Sequence, residues 1–282
     1  MSATLSVLVD GLDHPEGLAF DPAAGCLWAG GEGGQFYRFD LASGELQEVA
    51  SSGGFLLGVA VDGDGIVYGC DIRRREVVRL DPNTRAVDVY SAGSPERSMV
   101  NPNWAAFDAE GNLYCTDSGT WKGDDGWIWK IAPGGAAEVW STESSNFPNG
   151  CCLDGGGAAL LVLESLTPAL VRIPIGPGGG AGPREVVAML PGTVPDGVSL
   201  DVEGNAYICC YRPDTVLRVD AAGNVEVLAD DPLGTDLAAP TNSAWFGPGL
   251  ARCACPNLGR WHITELDVAG ASGLPLHYPR LR

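Results

Sequence analysis

Short apolar strands separated by Asp, Gly and Pro recur along the chain, and six of them open in the same way. They are Pro15-Glu16-Gly17-Leu18-Ala19-Phe20-Asp21, Leu57-Gly58-Val59-Ala60-Val61-Asp62, Pro102-Asn103-Trp104-Ala105-Ala106-Phe107-Asp108, Pro148-Asn149-Gly150-Cys151-Cys152-Leu153-Asp154, Pro195-Asp196-Gly197-Val198-Ser199-Leu200-Asp201 and Pro240-Thr241-Asn242-Ser243-Ala244-Trp245-Phe246. The leading positions, here called heads, are Glu16, Leu57, Asn103, Asn149, Asp196 and Asn242, spaced 41 to 47 residues apart. A period of this length predicts propeller blades of four strands each. Within a unit the pattern repeats: a head, an apolar strand, an Asp-led hairpin turn, a second strand, and a third ending as in Tyr37-Arg38-Phe39-Asp40 or Leu217-Arg218-Val219-Asp220.

The expected fold is therefore all-β, a six-bladed β-propeller forming a single domain over residues 1–282. Unit one is expected from about His14 to Ser52, with later units ending near Ser98, Ser145, Thr193 and Leu237, and unit six running to the end. Ahead of them Leu5, Val7 and Val9 alternate like a strand. That strand is placed to complete the last blade and close the ring, which would hide an exposed edge. Gly176-Pro177-Gly178-Gly179-Gly180-Ala181-Gly182-Pro183 reads as a flexible insertion between outer strands, because it lacks the strand-to-helix setting and Lys-Ser/Thr ending of a phosphate loop.

Composition supports many turns, with 40 Gly and 20 Pro, and 45% apolar residues supply a core. A net charge of −19 argues against nucleic acid or an anionic membrane surface as a partner, since both call for a basic patch. No basic leader and no membrane-length apolar run is present, so a soluble, cytoplasmic protein is expected. The nine cysteines, including Cys151-Cys152 and Cys209-Cys210, read as buried reduced thiols.

The heads carry the chemistry. Residues two and four beyond each head are mostly apolar, whereas five of the six heads are polar. The first strand of a blade is its innermost, so alternation from the apolar positions brings the heads to the central channel. Unpaired carboxylates brought together in a partly dry channel cost several kcal/mol per ion. A divalent cation would offset this, held by Glu16 and Asp196 with amide oxygens from Asn149 and Asn103. Hard oxygen donors favour Ca²⁺, with Mg²⁺ or Mn²⁺ next, and Zn²⁺ or Fe²⁺ remain open by ligand type. The Asp closing each first strand, as in Asp62 or Asp201, reads as a turn residue. A second ring is expected where the second strands end, near Glu32, Asp71, Asp117, Glu164, Tyr211 and Asn257, as substrate contacts, as support for the ligands or as solvated rim residues.

Pro15-Glu16-Gly17, Pro102-Asn103, Pro148-Asn149-Gly150 and Pro195-Asp196-Gly197, with Asn257-Leu258-Gly259-Arg260-Trp261, resemble the senescence marker protein, gluconolactonase and luciferin-regenerating enzyme family over essentially the whole chain. The resemblance implies a metal-dependent lactone hydrolase acting on a small-molecule lactone or ester, with no obligate protein partner inferred. It implies Glu16, Asn149 and Asp196 as metal ligands, Asp196 also as general acid/base, and Asn103 as a further ligand or substrate contact. Where sugar lactonases of the family often carry Arg and an acid around that Asn, this chain has Asn101 and Trp104. Where animal sugar lactonases use a Glu for substrate hydroxyls, it has Trp121. With Asn101, Asn103, Trp104 and Trp121 as substrate contacts, a less polar substrate than a simple aldonolactone is expected. Hydrolysis of another ester or a phosphotriester on the same metal, and a non-catalytic calcium-binding scaffold, are the alternatives.

Overall fold

The computed structural model describes residues 3–281. These described residues build twenty-four strands, β1 to β24, into six antiparallel sheets of four. Strand β1 (Thr4–Asp10) comes first. Blade 1 holds β2 (Leu18–Asp21), β3 (Cys26–Gly30), β4 (Gln35–Asp40) and β5 (Leu46–Ser51), and blade 2 holds β6 (Leu56–Val61), β7 (Val67–Asp71), β8 (Glu76–Asp81) and β9 (Ala86–Ser91). Blade 3 is β10 (Pro102–Phe107), β11 (Leu113–Asp117), β12 (Trp127–Ile131) and β13 (Ala137–Ser141). Blade 4 is β14 (Pro148–Leu153), β15 (Ala159–Glu164), β16 (Ala169–Pro174) and β17 (Glu185–Met189). Blade 5 is β18 (Val194–Leu200), β19 (Ala206–Arg212), β20 (Thr215–Val219) and β21 (Val225–Asp230). Blade 6 is β22 (Ala244–Phe246), β23 (Arg252–Asn257) and β24 (His262–Asp267), completed by β1.

The expected closure is present: β1 pairs with β24 from Thr4 opposite Asp267 to Asp10 opposite His262. Turn chemistry explains the repeated Asp. Asp62 Oδ1 accepts from the N–H groups of Asp64 and Ile66, and Asp201 Oδ1 does the same for Glu203 and Asn205, so each carboxylate folds its own hairpin. The second strands of blades 1 to 4 are buried along their whole length because each lies between two neighbouring blades. Aromatic residues fill those seams edge to face, as in Tyr68 with Phe107 at 5.0 Å and Tyr207 with Trp245 at 4.9 Å. All nine cysteines are buried and unpaired.

Two expectations change. The glycine-rich insertion does lie between the third and fourth strands of blade 4, but it is pinned, with Trp140 of blade 3 donating its indole N–H to Gly179 O at 2.7 Å. Unit six does not fill the end of the chain, because beyond Asp267 the backbone leaves blade 6 and crosses the channel's lower end. There Leu274 N–H reaches Leu200 O, the Tyr278 hydroxyl reaches Phe20 O, and Gly63 N–H reaches Pro279 O. Below the heads this strap and the inner strands enclose a largely apolar space of about 120 Å³. Among the described residues no helix is long and apolar enough to cross a membrane.

Candidate metal centre

Three of the polar heads, Asn103, Asn149 and Asp196, sit where their strand departs from regular pairing, as does the apolar head Leu57. In blade 4 Pro148 faces Glu164 and Cys151 faces Val162, so Asn149 and Gly150 together oppose one residue. Blade 5 repeats this with Asp196 and Gly197, and blade 3 with the extra residue Asn103. A bulge re-aims one side chain while the strand continues. Simple alternation from the apolar positions, the basis of the sequence argument, therefore does not carry across the bulge, and the bulge itself turns the head inward.

The glycine after the head has an equally direct cause. A Cβ on Gly17 would lie 2.2 Å from Leu57 O, on Gly58 2.7 Å from Asn103 O, on Gly150 2.5 Å from Asp196 O and on Gly197 2.5 Å from Thr241 O. Neighbouring inner strands touch backbone to backbone at this level, and only glycine fits between them. The ring of heads is thereby drawn in around the channel.

Hydrogen bonds then engage the nitrogen of each amide. Asn103 Nδ2 donates to Ser118 Oγ at 2.9 Å, Asn149 Nδ2 to Ser165 Oγ at 3.3 Å, and Asn242 Nδ2 to Leu18 O at 3.0 Å. The opposite atoms, Oδ1 of Asn103, Asn149 and Asn242, are buried without a partner in the chain. The two serines also hold adjacent blades together: Ser118 Oγ donates to Pro148 O and Ser165 Oγ to Pro195 O, at 2.8 and 2.7 Å. Neither serine was singled out from the sequence. The signal was the acid-Ser pair ending the second strand in units three and four, Asp117-Ser118 and Glu164-Ser165.

Glu16 and Asp196 complete the ring. Burial, reinforced by the Glu32 carboxylate, pushes the Glu16 carboxyl up to about 8. Burial also raises Asp196 well above the usual carboxylate range, followed by the charge of Glu16, with the Asn149 amide opposing the rise as a donor. Glu16 belongs to blade 1 and Asp196 to blade 5, so they influence each other across the channel. Two carboxylates that resist ionisation together and three unpartnered amide oxygens form an all-oxygen donor set, the chemistry of a hard divalent cation. Among the described residues no group of three or more His, Cys, Asp or Glu side chains is placed to hold a metal, so a cation here depends on the amides.

The remaining candidates are distributed differently. Asn101 is half-buried at the mouth, its N–H donating to Asp117 Oδ1 at 2.7 Å and its carbonyl accepting from Ser118 N–H. Trp121 is 71% exposed on the loop between β11 and β12. Trp104 is buried and packs in the seam between blades 3 and 4, among Tyr114, Trp140 and Cys151; the expected substrate contact is a core side chain there. The expected second ring is mostly scaffolding. Asp117 accepts from Val100 and Asn101 N–H and from the Trp129 indole, Glu164 binds Arg184 through both oxygens, and Asn257 Oδ1 accepts from Ala238 N–H. These buried groups tie down the loops that present the heads. The charge of Glu32 acts on the head Glu16, and Glu32 also meets His14 Nδ1 at 3.1 Å.

The architecture matches known structures along nearly its whole length. A gluconolactonase of Xanthomonas campestris aligns with a TM-score of 0.80 and 19% identity, covering 94% of this chain and 89% of that one. The calcium-binding protein regucalcin of Agrobacterium tumefaciens aligns with a TM-score of 0.82 and 20% identity, covering 100% and 98%. A luciferin-regenerating enzyme aligns with a TM-score of 0.81 and 13% identity, covering 98% and 100%. No curated protein matches the sequence. Residues 14–252, which include every head, match the SMP-30/Gluconolactonase/LRE-like region, and the chain belongs to that family.

Proposed function

We propose that the chain is a metal-dependent lactone hydrolase whose chemistry is centred on the ring of heads. The observation that carries this reading is the ring itself: buried amide oxygens with no partner in the chain, at positions equivalent to two carboxylates that resist ionisation. Glu16, Asn149 and Asp196 would hold the ion, with Asn103 as a further ligand or substrate contact. The gluconolactonase among the structural relatives agrees with this substrate class, and the calcium-binding regucalcin with Ca²⁺ ahead of Mg²⁺, Mn²⁺, Zn²⁺ or Fe²⁺. When bound, the cation supplies Lewis acidity to the lactone carbonyl.

The rest is done by side chains of the chain itself. Asp196, kept from free solvent, takes a proton from the attacking water and returns it to the ring oxygen as the C–O bond breaks, a role typically worth about 10² to 10⁴ in rate. Ser118 and Ser165 hold the nitrogens of Asn103 and Asn149 and leave their oxygens free, so the ring would need no rearrangement during reaction. Asn101 and Trp121, at the mouth, would meet the substrate. The same donors also suit another ester or a phosphotriester.

The deciding experiment pairs elemental analysis with a panel of sugar and hydrocarbon lactones, assayed with and without chelator. Bound divalent metal and chelator-sensitive hydrolysis are expected. Tight Ca²⁺ binding with no turnover of any lactone or ester would favour the second reading, a calcium-binding scaffold, to which the regucalcin likeness lends support.

A further inference from the structure

The mouth of the ring differs in polarity from one side to the other, and the difference lies beside Asn149. Phe147, two residues before it, is held at φ +56, a left-handed conformation unfavourable for an aromatic residue. Such a conformation persists only where the surroundings determine it, and it occurs disproportionately at functional sites. Here Phe147 N–H bonds Ser145 O, and Phe147 O accepts from the N–H of Ser165, the serine that anchors Asn149. The ring of Phe147 meets Trp121 edge-on at 5.4 Å.

Trp121 leaves 71% of its surface in solvent, although its loop is ordered: Thr120 N–H and Oγ1 each reach the Asp125 carboxylate at 2.8 Å. Leu166, next to Ser165 and bonded through its N–H to Asn146 O, is 42% exposed. Blades 3 and 4 thus raise an apolar wall at the amide side of the ring. Opposite, blade 1 presents Asp13, His14 and Glu32, with His14 Nδ1 between the two carboxylates at 2.9 and 3.1 Å and the half-exposed Trp261 of blade 6 packed on the imidazole at 4.8 Å.

The geometry points to a lactone carrying an aromatic substituent, seated with its ring against Trp121 and Leu166, with the buried Phe147 behind Trp121, and its carbonyl over the heads. This assignment rests on the hydrolase reading and adds to it the substrate class and orientation. Phe147 meets Trp121 only along a ring edge, which leaves an indole face for stacking, and a planar aromatic group takes up that face better than a polyhydroxylated chain. The polar side of blade 1 is left for the ester oxygens and water.

The test compares kcat/KM for dihydrocoumarin and for glucono-1,5-lactone in the metal-loaded enzyme. Wild type should prefer the aromatic lactone. In Trp121→Ala the ratio of the two should fall about tenfold, the scale of one lost stacking partner with its buried area, chiefly through KM. Trp121→Phe should restore most of it, and Leu166→Ser should lower the ratio in the same direction. A wild-type preference for gluconolactone, or equal effects of Trp121→Ala on both substrates, overturns the wall while leaving the hydrolase reading standing. Absence of turnover with every lactone overturns the hydrolase reading, and this assignment with it.

Discussion

Without a cation at the heads the protein's stability should fall with rising pH, opposite to the usual behaviour of paired carboxylates. The Glu16 carboxyl sits at about 8 against an ordinary 4.5, displaced first by burial and then by Glu32. Between those values the ion-free folded chain keeps a proton that the unfolded chain has released. Folding is therefore favoured by acid, and stability is lost from about pH 4.5 to about pH 8. At about 1.4 kcal/mol per pH unit the loss amounts to about 5 kcal/mol. At about 2 °C per kcal/mol for a chain of this size, that is a fall of about 10 °C in Tm. Asp196, raised by the same enclosure, acts in the same direction. A cation held at the heads would take the place of the proton, so Ca²⁺ should restore the Tm at pH 8 far more than at pH 5. Thermal melts of chelator-treated protein from pH 5 to 8, with and without Ca²⁺, read this directly. Glu16→Gln removes the principal source and should flatten the ion-free profile. A Tm that stays level or rises between pH 5 and 8 without the ion would refute the reasoning.

Asp196→Asn keeps the shape but cannot accept the proton, and lactone hydrolysis followed by pH-stat should drop by about 10² to 10⁴; a rate within about twofold of wild type excludes Asp196 as the base. Ser165→Ala frees both the Asn149 amide and Pro195 O, and calorimetric titration should show Ca²⁺ affinity weakened by about 10-fold to 100-fold. Gly197→Ala drives a Cβ to within 2.5 Å of Thr241 O, a backbone atom that cannot swing aside, and chemical denaturation should register a loss of about 2–4 kcal/mol. Deleting residues 2–10 removes β1 and bares the edge of β24, and a Tm lowered by about 10 °C or more is expected; an unchanged Tm would show that the ring closes without it.

Local chemistry decided much of this protein before any long-range contact formed. The Asp-led turns at Asp62 and Asp201, the apolar strands between them and the interval of the heads depend on residues close in sequence, so six four-stranded blades and a closing N-terminal strand were legible from the chain. The six heads were legible as equivalent positions for the same reason, while the choice of Glu16, Asn149 and Asp196 among them as ligands came from the family resemblance. Their presentation was not. It depends on bulges at Asn103, Asn149 and Asp196 that break the alternation, on inner strands that touch at Gly150 and Gly197, and on Ser118 and Ser165 reaching into the next blade. Trp104 shows the limit most plainly: adjacent to Asn103 in sequence, it lies in the seam between blades 3 and 4. Leu274 to Tyr278, unremarkable as a sequence, form the channel's floor. Periodicity specifies which residues are equivalent, because it acts within one blade; only the closed ring determines which atoms of different blades meet, because those contacts span gaps of 30 residues or more, as from Ser118 to Pro148.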